Sequence, residues 1–265
     1  MAHILITNDD GIQAEGLRAL VQAIEGLGMV SVVAPSHERS ASAQSLTLRH
    51  PIFWDQVAEN EWSVEGTPAD CVILALNKLL PNRPDIVISG VNRGGNMGEN
   101  IFYSGTVGAA MEAAINHIPA IAVSVVHKGK GFRFEHAAKL ARDIAQIVIA
   151  EGMPLSTVLN VNVPLAWNGN VRATRQSRKV TRNVLQEGTD PRGRSFFWLL
   201  EQEHIEGVDP KSDYAAVFDG AASVTPLHLD RTHEISLKHV SEWAARLEGN
   251  AENAEPATVT RNTLK

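Results

Sequence analysis

Two adjacent carboxylates near the start of the chain carry the strongest chemical signal in the sequence. Asp9 and Asp10 follow a short apolar run, His3–Thr7, and their like charges repel each other unless a cation lies beside them. Carboxylate oxygens suit a hard divalent ion, to which Ser40 and Asn92 could add neutral oxygen ligands. A solvated turn is the simpler interpretation of an isolated Asn-Asp-Asp-Gly sequence, so spacing alone leaves both interpretations open.

A glycine-rich stretch later in the chain indicates an anion site. The glycines of residues 90–98 match neither the dinucleotide-binding fingerprint nor the P-loop, but their backbone can approach a ligand closely. Ser104, Gly105 and Thr106 then open a predicted helix, whose free N–H groups and positive dipole end favour a phosphate. For Ser104 alone, an ordinary helix N-cap is the alternative interpretation.

The elements that would position these residues alternate between strands and helices. Apolar runs predict five strands, which are His3–Thr7, Val30–Ala34, Asp85–Ser89, Ala120–Val126 and Val158–Val163. Helical periodicity predicts Glu15–Leu27, Pro68–Leu80, Gly105–Asn116 and Phe134–Ala150. This order predicts βαβ units in a three-layer α/β/α, Rossmann-like sandwich with a mainly parallel sheet. Ligands of such sheets bind beyond the carboxyl ends of the strands, so we expect the candidate residues to meet at one edge.

The pattern changes after Pro164. Further strands are predicted at Val171–Gln176, Lys179–Leu185, Ser195–Leu200 and Ala222–Pro226, and further helices at Asp213–Phe218 and Lys238–Leu247. The turn-rich residues 187–194 make the middle of this part an extended β-hairpin, which either packs on its own domain or reaches a partner chain. We therefore divide the chain into an α/β core (1–165), a C-terminal extension that contains the hairpin (166–248) and a disordered polar tail (249–265).

Composition excludes several classes of protein. The 265 residues include 24 Lys and Arg against 30 Asp and Glu, a net charge of −6, which argues against wrapping of nucleic acid through phosphate neutralisation. The single cysteine, Cys71, rules out an intramolecular disulfide or a cysteine zinc site. We find neither a signal peptide nor an apolar stretch long enough to span a membrane, and expect a cytoplasmic protein.

Six short motifs occur in the order typical of one family. They are Ile6–Ile12, Val33–Pro35 leading to Arg39 and Ser40, Gly66–Val72, Ser89–Asn92 with Asn96, Tyr103–Val107 and Thr225–His228. Together they resemble the SurE family (survival protein E), and the resemblance runs from residue 3 to about residue 245. The sequence departs from the family at Ala41, where glycine is common, and at Glu15, where proline is usual.

The resemblance implies a metal-dependent phosphomonoesterase that acts on nucleoside 5′- and 3′-monophosphates, with short-chain polyphosphate as a further substrate in some members. It also implies one divalent cation per subunit, Mg²⁺ or Mn²⁺, and a homodimer or homotetramer built through the hairpin. The family's metal ligands fall on Asp9, Asp10, Ser40 and Asn92, and its phosphate-facing positions fall on Asn96, Ser104, Gly105 and Thr106.

Two mechanisms and a second class of function stay open from the sequence. In metal-assisted hydrolysis, Asn8 or Asn96 would orient the attacking water, and the sequence does not choose between them. In a covalent route, Asp9 would attack phosphorus and form an aspartyl-phosphate. The alternative function is a nucleotide-binding sensor that grips phosphate without hydrolysing it.

Overall fold

Nine strands form one mostly parallel sheet in the computed structural model, which describes residues 1–127, 131–178, 181–203 and 208–251. In chain order the strands are β1 (His3–Thr7), β2 (Met29–Pro35), β3 (Trp54–Ala58), β4 (Glu61–Val64), β5 (Ile86–Arg93), β6 (Ala120–Val126), β7 (Thr157–Pro164), β8 (Val171–Ala173), β9 (Thr181–Thr189), β10 (Ser195–Glu203) and β11 (Ala222–His228). The large sheet has the order β3-β4-β2-β1-β5-β6-β7-β11-β8, while β9 and β10 pair with each other as an antiparallel hairpin.

The six central strands, from β4 to β7, run parallel to one another. At the two sides, β3 is antiparallel to β4 and β11 is antiparallel to β7, and β8 then runs parallel to β11. Because β1 and β5 are neighbours in the middle, the loops after them meet at the carboxyl edge of the sheet.

Helices cover both faces of the sheet. They are α1 (Glu15–Ile24), α2 (Pro68–Leu74), α3 (Gly105–Ile115), α4 (Glu135–Glu151) and α5 (Asp213–Phe218). A further helix, α6 (Glu234–Ala251), follows the last strand in the chain. Ile4 and Ile6 of β1 pack in a core with α1 and α4, whereas Leu5 packs in a second core with α2 and α3. Alternate residues of a strand point to opposite faces, so one buried strand feeds both cores. The predicted three-layer α/β fold is confirmed.

The sequence did not predict β3 and β4. All five residues of β3 are exposed, and β4 has only four residues, so neither shows a clear apolar run. The predicted helix Pro68–Leu80 is α-helical only to Leu74 and continues as a π-helical turn over Ala75–Leu79.

The hairpin also differs in detail from its prediction. Strand β9 extends to Thr189, into the predicted turn, because it pairs in regular register with the whole of β10. The predicted strand Val171–Gln176 is a strand only over Val171–Ala173, and α6 extends beyond the predicted end at Leu247. Lys179, the predicted start of β9, and residues 252–265 of the predicted tail lie outside the described residues.

The chain separates into two compact units, Met1–Leu229 and Asp230–Lys265. Strands β8 and β11 of the predicted C-terminal extension continue the sheet of the first unit, and the division at residue 165 stays a prediction. Within the described ranges, no helix combines the length and the apolar character needed to cross a lipid bilayer.

Candidate metal and phosphate site

The loop after β1 is closed by the side chain of Asn8. This residue is fully buried, its amide nitrogen donates to the carbonyl oxygen of Gly11 at 2.9 Å, and its amide oxygen accepts the N–H of Gly11 at 3.2 Å. The side chain therefore shapes the turn that presents Asp9 and Asp10. Of the two asparagines considered for orienting the attacking water, Asn8 has both side-chain polar groups hydrogen-bonded within its own loop.

Asp9 lies against the first turn of α3. Its side chain is buried, and its Oδ1 accepts a hydrogen bond from the hydroxyl of Thr106. A Cβ atom on Gly105 would lie 2.9 Å from both Cβ and Oδ2 of Asp9, and 2.6 Å from Oγ of Ser42. Only glycine allows the helix to begin this close to the carboxylate. Ser104 caps the same helix, because its hydroxyl oxygen accepts the N–H of Val107 at 3.1 Å.

Burial of the two carboxylates opposes their ionisation. Desolvation raises the pKa of Asp9, and the hydrogen bond from Thr106 lowers it in part. The pKa of Asp10 is raised to about 6, chiefly by burial and then by the charge of Asp9, against the opposing effect of Arg93. A cation bound beside these two adjacent carboxylates would stabilise their ionised forms.

Two neighbouring loops are tied directly to the aspartates. After β2, the N–H of Arg39 donates to the carbonyl oxygen of Asp9 at 2.7 Å. At the end of β5, the N–H of Arg93 donates to Oδ2 of Asp10 at 3.3 Å. The structure thus brings the loop that carries Ser40 and the end of β5, which carries Asn92, to the Asp9–Asp10 turn. The prediction placed Asn92 in a loop after a strand ending at Ser89, but the strand continues to Arg93.

The remaining predicted metal ligands make local hydrogen bonds. The amide nitrogen of Asn92 donates to the carbonyl oxygen of Gly94 at 2.8 Å, and its amide oxygen has no donor among the described residues. Ser40 is exposed, and its hydroxyl donates to Oε1 of Glu38 at 2.6 Å. Asn92 therefore presents an acceptor directly, whereas the hydroxyl oxygen of Ser40 would act as a ligand while its proton bonds Glu38.

The donor set fits a hard divalent cation. It combines two carboxylates with an amide oxygen and a hydroxyl, the ligand types that Mg²⁺ and Mn²⁺ prefer. The buried hydroxyl of Ser42 beside Asp9 lacks a hydrogen-bond partner within the described part of the chain, which indicates a further group or water at this place. Over the same residues, no cluster of three or more His, Cys, Asp or Glu side chains forms a metal site, so an ion here would depend on the neutral oxygens.

Asn96 is held by amides from β7. Its backbone N–H donates to Oδ1 of Asn162 at 2.8 Å, and its carbonyl oxygen accepts from Asn160 at 2.7 Å and from Asn162 at 3.1 Å. Its own amide nitrogen donates to Oγ of Ser124 on β6 at 2.9 Å. These supporting residues were not predicted, although two asparagines at alternate positions of an otherwise apolar strand were a readable signal of buried amides on one face.

A cleft of about 500 Å³ adjoins the loop of Asn96. It is lined by Met97, by the end of β6, and by Tyr214 and Phe218 of α5, whose rings stack with centroids 6.4 Å apart. A second cleft of about 350 Å³ lies by the first turn of α4. Neither is lined by Asp9 or Asp10, so the candidate metal site is identified by its chemistry rather than by a deep cavity.

Comparison with known proteins gives consistent results. The family model "Survival protein SurE" matches residues 4–184. The protein named 5′-nucleotidase SurE from Geotalea uraniireducens is 47% identical over 247 residues, which cover 91% of this chain and 98% of that protein. The protein of the same name from Geotalea daltonii is 45% identical over the same share of each chain. The crystal structure of the SurE protein from Aquifex aeolicus superposes with a TM-score of 0.82 at 39% identity and covers 91% of this chain and 99% of that one. On these matches, and on a fold that agrees with them, the chain belongs to the SurE family.

Proposed function

We propose that this protein is a metal-dependent phosphomonoesterase that hydrolyses nucleoside 5′-monophosphates to nucleoside and phosphate. The observation that carries the proposal is the pair of adjacent carboxylates, Asp9 and Asp10, whose ionised forms are destabilised by burial. Asp9 lies directly beside Gly105, the glycine that begins α3. The relatives named 5′-nucleotidase SurE supply the substrate class. Nucleoside 3′-monophosphates and short-chain polyphosphate are proposed as further substrates, because they present the same terminal phosphate.

Asp9, Asp10, Asn92 and Ser40 would hold one Mg²⁺ or Mn²⁺ ion. When bound, this ion would neutralise charge on the phosphoryl group and lower the pKa of water toward neutrality. Thr106 keeps Asp9 in its orientation through the hydrogen bond to Oδ1. Gly105 and Thr106, in the first turn of α3, would bind phosphoryl oxygens that gain charge as the reaction proceeds. The backbone N–H of Thr106 also interacts with the Asp9 carboxylate, so the phosphate would share this donor with Asp9.

Asn96 is the residue that we assign to substrate. Its backbone is fixed by Asn160 and Asn162, and its amide nitrogen donates to Ser124, so its side chain keeps one orientation. We favour direct attack by water over attack by Asp9, because Asp9 is assigned to the metal and its Oδ1 already accepts a hydrogen bond from Thr106. Hydrolysis of a substrate with a chiral phosphorus distinguishes the routes, since direct attack inverts the configuration and a covalent aspartyl-phosphate retains it.

We also propose that the hairpin of β9 and β10 joins two copies of the chain. Large apolar side chains are exposed along it, including Leu185 at 65%, Phe197 at 60% and Trp198 at 62%. An isolated two-stranded hairpin is marginally stable in water, so a partner surface would stabilise it. A homodimer or homotetramer would cover these side chains, and a cytoplasmic location stays a prediction.

Phosphate release from a panel of nucleoside monophosphates, with Mg²⁺, Mn²⁺ or EDTA, tests the function. We expect release that requires a metal and that falls about 10²- to 10³-fold in Asp9→Asn and Asp10→Asn, the range for loss of one group that stabilises transition-state charge. Asp143→Asn, an exposed carboxylate paired with Lys139 on α4, is the matched control and should keep the wild-type rate. Tight binding of nucleotide without release under any condition would instead favour the sensor function.

A further inference from the structure

A carboxylate from the C-terminal extension is buried behind the loop that carries Asn96. Asp213 begins α5 and has no exposed surface. Its Oδ2 accepts the N–H of Gly98 at 2.9 Å, and its Oδ1 accepts the N–H groups of Ser177 at 3.1 Å and Tyr214 at 2.7 Å. Hydrogen bonds to a carboxylate are roughly twice as strong as those between neutral groups, so Asp213 joins these three backbone segments firmly.

Gly98 is held from its other side as well. The side-chain amide of Gln176 donates to the carbonyl oxygen of Gly98 at 3.0 Å. Gly98 has φ of +55°, and a Cβ atom there would lie 2.8 Å from both the carbonyl oxygen of Arg178 and Oγ of Ser177. The backbone of Gly98 therefore has both polar groups engaged and no free space beside it. We name Gln176, Ser177 and Asp213 the loop clamp.

The loop clamp acts on a segment that has no regular structure of its own. Residues 94–97 lie between the end of β5 and the short 3₁₀ turn that starts at Gly98. Asn160 and Asn162 hold the backbone of Asn96, and the loop clamp holds the backbone of Gly98 two residues later. Side chains distant in sequence thus take the place of a sheet or helix ladder in fixing this segment.

We propose that Asp213 is a positioning residue for phosphate, which acts through Gly98 to fix Asn96. The proposal rests on the proposed function, in which Asn96 contacts the phosphoryl group. It assigns the C-terminal extension a role in the chemistry in addition to its proposed role in assembly. An aspartate suits this place because three N–H groups converge on it and it has two oxygens that only accept.

The test is the variant Asp213→Asn. Its NH₂ group would face either the N–H of Gly98 or those of Ser177 and Tyr214, so at least one hydrogen bond is lost. We expect kcat/KM to fall about 10- to 100-fold, the range for residues that orient a directly acting group. The fall should be equal for a nucleoside monophosphate and for 4-nitrophenyl phosphate, because the loop serves the phosphoryl group that the two substrates share. The Kd of inorganic phosphate should rise in the same variant.

Asp219→Asn is the matched control. Asp219 ends the same helix, is exposed, and pairs with Arg172 at 2.7 Å, so its loss should change neither kcat/KM nor phosphate binding. Gln176→Ala removes the second contact to Gly98, and a smaller fall in kcat/KM is expected. This second variant decides the question if Asp213→Asn does not fold.

Hydrogen exchange of residues 94–100 supplies a readout that does not depend on turnover. Faster exchange there in Asp213→Asn, with no change in Asp219→Asn, supports the loop clamp. A lower Tm with unchanged kcat/KM, phosphate Kd and exchange, measured well below the Tm, would overturn it and leave Asp213 a structural residue. If the wild-type protein hydrolyses no substrate, the proposed function is wrong. Faster exchange with weaker phosphate binding would still support the clamp.

Discussion

The two loops that flank the candidate site are built in opposite ways. In the aspartate loop, residues 8–11, two carboxylates have raised pKa values because burial opposes their charge, and at Asp10 the charge of Asp9 adds to this effect. In the asparagine segment, residues 96–98, neutral amides and one distant carboxylate satisfy the backbone groups of Asn96 and Gly98. The first loop has unbalanced charge and the second has satisfied hydrogen bonds.

The difference indicates two physical tasks. A loop with unbalanced negative charge lowers the stability of the metal-free protein, and binding of a cation restores that stability. A loop fixed by hydrogen bonds is already in its working geometry before a ligand arrives, which avoids reorganisation during the reaction. We therefore expect changes in the two loops to move stability and activity in different combinations.

The sharpest test compares Asp9→Asn with Asn162→Ala in EDTA. Asp9→Asn removes a buried charge and keeps an oxygen for the hydroxyl of Thr106, so we expect a higher Tm. Asn162→Ala leaves the buried N–H of Asn96 without its acceptor, and we expect the free energy of unfolding to fall by about 1–3 kcal/mol. Urea or thermal unfolding measures both. Changes of the same sign would contradict the contrast between the loops.

Thr106→Val tests the hydrogen bond that the Thr106 hydroxyl donates to Asp9. The hydroxyl lowers the pKa of Asp9, so its loss should raise that pKa further and move the acid limb of the activity profile to higher pH. We expect activity at neutral pH to fall about 10- to 100-fold, because a hydrogen bond to a charged group contributes about 1.5–3 kcal/mol. Thr106→Ser keeps the hydroxyl and should restore most activity. Equal losses in both variants would assign the effect to packing.

The pH dependence of stability isolates Asp10. Its pKa is about 6 in the folded protein against an ordinary 3.8, so the folded state binds the proton more tightly than the unfolded state does. In EDTA, Asp10 therefore contributes stability at low pH, and this contribution is lost as pH rises from about 4 through 6. The gain in unfolding free energy from Asp10→Asn should grow over this window and shrink when Mg²⁺ is added. A gain independent of pH would refute this account.

The smallest expected effect concerns Ala41, which has φ of +55° in the loop after β2. L-residues avoid this conformation, so Ala41→Gly should relieve strain and raise stability by up to about 1 kcal/mol after the entropy of the unfolded glycine is counted. Ala166→Gly, in an exposed turn without positive φ, is the control and should not gain stability. A similar change in stability in both variants would show that the backbone at Ala41 is not strained.

The sheet could be predicted because its central strands are continuous apolar runs. A strand buried on both faces, such as β1 or β6, leaves a signal that needs no tertiary information. The edge strand β3 leaves no such signal, since all of its residues are exposed and its pairing with β4 determines its conformation. The resemblance to the SurE family, carried by the motifs, is confirmed by the comparisons.

The sequence could predict candidate site residues that follow strands or begin a helix, but not the residues that support them from a distance. Asp9 and Asp10 are adjacent in sequence, so their repulsion can be inferred from the order of residues alone. Asp213 follows Ser212, a normal helix cap, and in the sequence it has the features of any acidic residue in a first turn. Its contact with Gly98 joins residues 115 positions apart, and only the folded chain brings them together.

The closed base of the hairpin bears on how this family can diversify. Before and after β9 and β10 the chain is joined to itself, since the N–H of Arg175 donates to the carbonyl oxygen of Lys211 at 2.9 Å and the N–H of Asp213 donates to that of Arg175 at 2.8 Å. An insertion with adjoining, fastened ends can be lengthened, shortened or exchanged at small cost to the rest of the domain. Evolution and protein engineering thus have a place where new loops or interfaces can be grafted onto an unchanged α/β domain.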